Sequence, residues 1–149
     1  MTDEIHGNRG GFSLELPPDI QELRKKVRNF IREYVRPLEE TLPPEATGLD
    51  DEAKEILQAE AKKQNLWMFG VPKQYGGQQL SVLALTVIAE EASQHRLGAY
   101  NAALGAFGAE PMNILYEMND KQKEKYLYPL FNGKKKVFMA ISEPSGGSD

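Results

Sequence analysis

The 149 residues are 40% hydrophobic and 27% charged, a globular balance that excludes a disordered or membrane-embedded chain and is long enough for one domain that hides roughly 70% of its unfolded surface. The net charge of -4 and the absence of a chain-wide basic stripe exclude a dedicated nucleic-acid binder. With no cysteine, the sequence excludes disulfides, thiolate metal sites and cysteine nucleophiles; no run reads as a signal peptide or a membrane span, so a cytoplasmic protein with no membrane insertion is the expectation.

Residues 1–11 are polar and glycine-rich and read as a flexible arm. The first helix is expected after Pro17 and Pro18, with Asp19 capping and Glu22 completing a capping box. Ile20, Leu23, Val27, Phe30, Ile31, Tyr34 and Leu38 recur at three- and four-residue steps and form its buried stripe, while Arg24, Lys25, Arg28 and Arg32 fall mostly elsewhere. Pro37 predicts an end or a kink. A second helix over about 51–64 buries Ala53, Ile56, Leu57 and Ala61, and Asn65 suits a left-handed terminus. Leu66-Trp67-Met68-Phe69 then buries. Gly70-Val71-Pro72-Lys73-Gln74-Tyr75-Gly76-Gly77 predicts a tight connection, with a cofactor contact as its alternative.

Ser81 is positioned to cap a third helix, whose Val82, Leu83, Leu85, Thr86, Ile88, Ala89 and Ala92 occupy more than one face and suggest a place in the middle of a bundle. It should end before Gly98. From Tyr100 to Met118 the small residues and Pro111 predict two short helices, the small side chains suiting close packing. Asp120 is the expected cap of a lysine-rich helix that carries Tyr126, Leu127, Leu130 and Phe131, and Asn132-Gly133 a turn. The lysines read as a solvated face or as an attraction for anionic groups. Val137-Phe138-Met139-Ala140-Ile141 changes the pattern to a short apolar run suited to a strand. A lone strand cannot satisfy its own backbone groups, so a sheet is expected to continue beyond Asp149.

This order of segments, closing on Ile141-Ser142-Glu143-Pro144-Ser145-Gly146-Gly147-Ser148-Asp149, resembles the acyl-CoA dehydrogenase family from about Phe12 onward. The ending is similar to that family's threonine-glutamate-proline signature, with serine at Ser142 in place of threonine. The resemblance implies an all-α orthogonal bundle of about five to six helices over 12–133, and over 134–149 the first strand of a central β domain. It implies FAD as cofactor, with Met139, Ile141, Ser142, Gly147 and Ser148 in contact with it. Ser148 is also expected to meet the acyl-CoA substrate, and the small-residue region from Tyr100 to Met112 to floor the acyl-chain pocket, with close helix packing as the equal alternative. Chemically the set is suitable: hydroxyls donate and accept, and glycines let amides approach anionic oxygens.

In the family a glutamate from a later domain removes the α-proton, so Glu143 is not given that role and no catalytic residue or metal ligand is assigned. The implied reaction places an α,β double bond in an acyl-CoA thioester, passes electrons to an electron-transfer flavoprotein or similar acceptor, and runs in a homo-oligomer when full length. This chain alone should be inactive. Flavin monooxygenases and nitroalkane oxidases share the organisation and are the nearest alternatives; an autonomous helical protein-interaction module is the other. His95, near a helix end, reads as solvated or as complementing the helix dipole rather than as an acid or base.

Overall fold

The computed structural model describes residues 15–95, 105–132, 135 and 146. Over these the chain is all-α, as expected. In order come α1 (Pro18–Phe30), a π-helical turn (Ile31–Val35), α2 (Arg36–Glu40), α3 (Asp51–Lys63), a 3-10 turn (Lys73–Tyr75), α4 (Val82–Ala92), a second 3-10 turn (Asn113–Glu117), α5 (Asp120–Gln122), a second π turn (Lys123–Leu127) and α6 (Tyr128–Phe131). The six α-helical segments join into four continuous rods, because each π turn runs without a break into the helices on either side. The apolar run Val137 to Ile141 lies outside the described residues.

Pro18 sits at the first position of α1, where its missing N–H costs nothing and its fixed φ favours the helix. This corrects the expected cap: no side chain caps α1, Asp19 lies within the first turn, and Glu22 pairs forward with Lys26 at 3.2 Å. Pro37 does not end the rod. Its ring would crowd the carbonyl four residues back in a regular α-helix, and the chain meets this with the wider turn over Ile31–Val35, where the Arg36 N–H reaches back five residues to the Ile31 carbonyl. The extra residue advances the buried stripe by one. Val35 and Glu39 are buried, and the expected Tyr34 and Leu38 are only partly so. The same device recurs at Lys123–Leu127, where the Tyr128 N–H reaches Lys123 just before Pro129. The two sites share a pattern, Tyr34-Val35-Arg36-Pro37-Leu38 and Tyr126-Leu127-Tyr128-Pro129-Leu130.

The Asp50 carboxylate caps α3 by accepting from the Ala53 N–H at 2.7 Å, and Asn65 takes the left-handed conformation at φ 58° after its end. Ile56 is a correction: it is 55% exposed, while Ala53, Leu57 and Ala61 bury. Ser81 caps α4 through the Ala84 N–H at 3.3 Å. That helix is not enclosed on all sides, since Val82 and Leu83 are exposed and only Ala84, Val87, Ile88, Glu91 and Ala92 are buried. Between 105 and 118 no α-helix forms; Gly105 and Gly108 make a tight bridge and the 3-10 turn follows Pro111. The cap of α5 is Asn119 rather than Asp120, in a full capping box with Gln122.

The main core joins Val27, Phe30, Ile31 and Val35 to Leu57, Ala61, Leu66, Phe69, Ile88 and Phe107. Phe107 stands between Phe30 and Phe69, with ring centroids 5.2 and 5.3 Å away. A second cluster holds Ala109, Leu115, Leu127 and Leu130, and a third seals Ile20 against Ala84 and Val87.

Candidate functional site

Met139, Ile141, Ser142, Gly147 and Ser148 lie outside the described residues. Inside them, the structure resolves how the two segments singled out in the sequence, the Gly70–Gly77 connection and the small-residue stretch, are held.

The connection closes on itself. The N–H groups of Gln78, Gln79 and Leu80 donate to the carbonyls of Met68, Val71 and Phe69 at 3.0, 3.0 and 2.9 Å, while Gly76 and Gly77 donate to Lys73 and Pro72. Gly76 needs its positive φ of 84°, and a Cβ at Gly77 would overlap the Val71 carbonyl. With these amides committed, the loop acts as a packed connector rather than as a cradle for phosphate oxygens.

Against it lies the stretch from Gly105 to Glu110. The Met68 N–H donates to the Phe107 carbonyl at 2.8 Å, the Gln58 side-chain amide to the Gly105 carbonyl at 3.0 Å, and the Gly70 N–H to the Glu110 carboxylate at 3.3 Å. A Cβ at Gly108, whose φ is 91°, would come within 3.1 Å of Trp67. Ala106, Phe107 and Ala109 are buried. In this portion small residues serve close packing; residues 100–104, the other part of the expected pocket floor, lie outside the described ones.

Two charged sites were not read from the sequence. Glu91, 1% exposed, lies on the buried face of α4. Arg28 grips it through Nε at 2.9 Å and Nη2 at 2.6 Å, and Arg24 Nε adds a third bond at 2.6 Å. The Arg28 hydrogen bond, with help from Arg24, overcomes the effect of burial and holds the carboxyl down at about 2. The available signal was one acid in phase with Ala84, Val87, Ile88 and Ala92, opposite two arginines spaced i, i+4. Of the two expectations for His95, solvation or complementing the helix dipole, solvation does not hold. Its side chain is 4% exposed, with Nδ1 3.4 Å from Glu39 Oε1. Burial lowers the His95 pKa and Glu39 opposes that in part. It was hidden because Glu39 turns inward only through the π turn.

Near α6, Tyr75 stacks on Tyr116 at 5.2 Å, and burial, then Glu110 and Tyr75, push the Tyr116 hydroxyl up to about 12. Lys123 lies 5.8 Å from the Tyr75 ring centre, so the lysine face is partly engaged with aromatic rings. Among the described residues no acid–histidine group could hold a metal ion, and no helix is long and apolar enough to cross a membrane.

Residues 17–134 match the family model described as acyl-CoA dehydrogenase, N-terminal domain. The chain is 34% identical to an isovaleryl-CoA dehydrogenase, mitochondrial, of Bos taurus, over 87% of this chain and 31% of that protein. It is 32% identical to a 3-(aryl)acrylate reductase of Clostridium sporogenes over 85% and 32% of the two chains. To a short-chain specific acyl-CoA dehydrogenase of Clostridium acetobutylicum it is 30% identical over 83% and 32%. The chain thus spans about a third of the length of these relatives. A helical domain with this order of elements, matched across residues 17–134, belongs to the acyl-CoA dehydrogenase family as its N-terminal domain.

Proposed function

We propose that the chain is the N-terminal helical part of an FAD-dependent acyl-CoA dehydrogenase that introduces an α,β double bond into an acyl-CoA thioester. The observation that carries this reading is the family match over residues 17–134. The donor set Ser142, Gly147 and Ser148 suits FAD, offering hydroxyls to the ring and close-approaching amides to the pyrophosphate; Met139 and Ile141 would pack beside it, and Ser148 would also meet the acyl-CoA. FAD, when bound, accepts the hydrogen leaving the β-carbon as hydride. The helical domain's proposed share is positioning and exclusion of water, for which the hydrogen-bonded Gly70–Gly77 connector and Gly105–Glu110 stretch would serve as a wall. In keeping with the resemblance, no residue of this chain is proposed as the α-proton base, and the 149 residues alone are proposed to be inactive. Electron-transfer flavoprotein or a similar acceptor, a homo-oligomeric assembly and a cytoplasmic location complete the proposal.

The test is to express the complete open reading frame that holds these residues, extract its flavin, and follow bleaching of the flavin absorbance by a panel of straight and branched acyl-CoAs. Stoichiometric FAD and bleaching by at least one thioester are expected. A colourless product that takes up no FAD defeats the reading. The relative named as a 3-(aryl)acrylate reductase makes reduction of an α,β-unsaturated acid the second arm of the same assay.

A further inference from the structure

The rod formed by α1, its π turn and α2 carries arginine at every fourth position: Arg24, Arg28, Arg32 and Arg36. On a helix that spacing makes one stripe about 18 Å long. Its N-terminal end is neutralised inside the fold, where Arg24 and Arg28 close on Glu91, Arg24 also reaches Glu90 at 3.2 Å, and Glu15 borders the adjoining cleft. The other end forms no ion pair among the described residues, although Glu39 and Glu40 share a second cleft with Arg36. Arg32 is exposed and makes no ion pair or hydrogen bond among the described residues, and Arg36 gives one N–H to the Gln94 carbonyl at 3.3 Å. Beside them opens a cleft of about 140 Å³ lined by Arg28, Ile31, Arg32, Arg36, Glu91 and Gln94. Glu91 on its wall is already matched by two guanidiniums, so Arg32 and Arg36 leave the cleft with a surplus of positive charge on a chain whose net charge is -4.

We propose that this arginine face is a docking surface for an acidic segment of a partner protein, with a carboxylate entering the cleft between Arg32 and Arg36. Glu91 shows within the fold what the surface accepts, a carboxylate held by guanidinium forks. Guanidiniums at i, i+4 match carboxylates at the same spacing on a helix laid alongside. A lipid surface is a poorer fit, because binding there needs an apolar face beside the cations and Val27, Phe30, Ile31 and Val35 on this rod are spent on the core. Nucleic acid is disfavoured by a pI of 5.3 and by the shortness of the stripe.

The inference does not rest on the flavin reading, and its test reads the same whether or not the protein binds FAD. The probe is a fluorescent helical peptide with glutamate at every fourth position, titrated against the full chain by anisotropy at low and physiological salt. Binding that weakens with salt is expected, reduced about tenfold or more in R32E/R36E and unchanged in K121E/K125E. R32E alone, which removes no contact within the fold, decides the matter if the double variant misfolds. No binding by the unmodified chain, an equal loss in the lysine control, or tighter binding to phosphatidylserine vesicles than to the peptide overturns the proposal.

Discussion

Glu91 is the residue on which acid stability should turn. Its carboxyl is held at about 2 when folded against an ordinary 4.5, so its contribution is complete above pH 4.5 and drains away as pH falls towards 2. Glu91→Gln is expected to cost about 1–2 kcal/mol near neutral pH, less than a fully enclosed pair because both arginines are partly solvated. Urea melts of the two proteins should converge across that acid window, and parallel curves would remove Glu91 from the account. His95 acts at milder pH. Burial depresses its pKa below 6.5, so protonation favours the unfolded chain and stability declines as pH drops below that value; His95→Asn should flatten that limb. Among the glycines, Gly77→Ala is expected to cost about 2–4 kcal/mol because the new Cβ overlaps the Val71 carbonyl, while Gly48→Ala, with open space around it, should stay within about 0.5 kcal/mol. Thermal unfolding of the pair measures the contrast.

At the scale of elements, the π turns are the informative departure from regular periodicity. Deleting Glu33 together with Pro37→Ala should convert Ile31–Val35 into ordinary α-helix while Val35 and Glu39 keep their inward face. Such a chain is expected to stay folded within about 1 kcal/mol of the original, as judged by circular dichroism and chemical melts; collapse would show that the wide turn is indispensable. The same turns mark where the sequence was legible. Helices α1, α3 and α4, the cap Ser81 and the left-handed Asn65 follow from spacing and local chemistry, which act over a few residues, while the Asp50 cap of α3 was not read. Tyr34 and Leu38 were read as buried in place of Val35 and Glu39 because a fixed period of 3.6 has no room for an inserted residue. The capping box at Asn119 was missed by one position because asparagine and aspartate side by side offer the same acceptor. The exposure of Ile56 and Val82 depends on which neighbours arrive, and no local pattern carries that information. For the site, Ser142 to Ser148 are proposed through resemblance alone and lie, Gly146 apart, outside the described residues, whereas Glu91 and His95 required the packing of α1 and α2 against the end of α4.

For the whole molecule, the clusters predict uneven stability. Phe107 ties the Gly105–Glu110 stretch to Phe30 and Phe69 in the main core, and Phe107→Ala should cost about 3–5 kcal/mol and lower protection throughout α1, α3 and α4. Leu127 belongs to the smaller cluster with Ala109, Leu115 and Leu130. Leu127→Ala should loosen Asn113 to Phe131 first, leaving the slowest-exchanging amides of the main core in place. Hydrogen exchange read amide by amide distinguishes that outcome from a uniform loss, which would make the two clusters one cooperative unit.

The chain's single tryptophan stands against the Gly105–Gly108 turn. Trp67 follows the end of α3, carries the Lys62 ammonium 4.2 Å from its ring centre, and leaves Gly108 no room for a side chain. Its emission is therefore an intrinsic optical gauge of a single joint. Light absorbed there reports whether the Gly105–Gly108 turn is seated, so the integrity of this packing could be followed in one cuvette without any label.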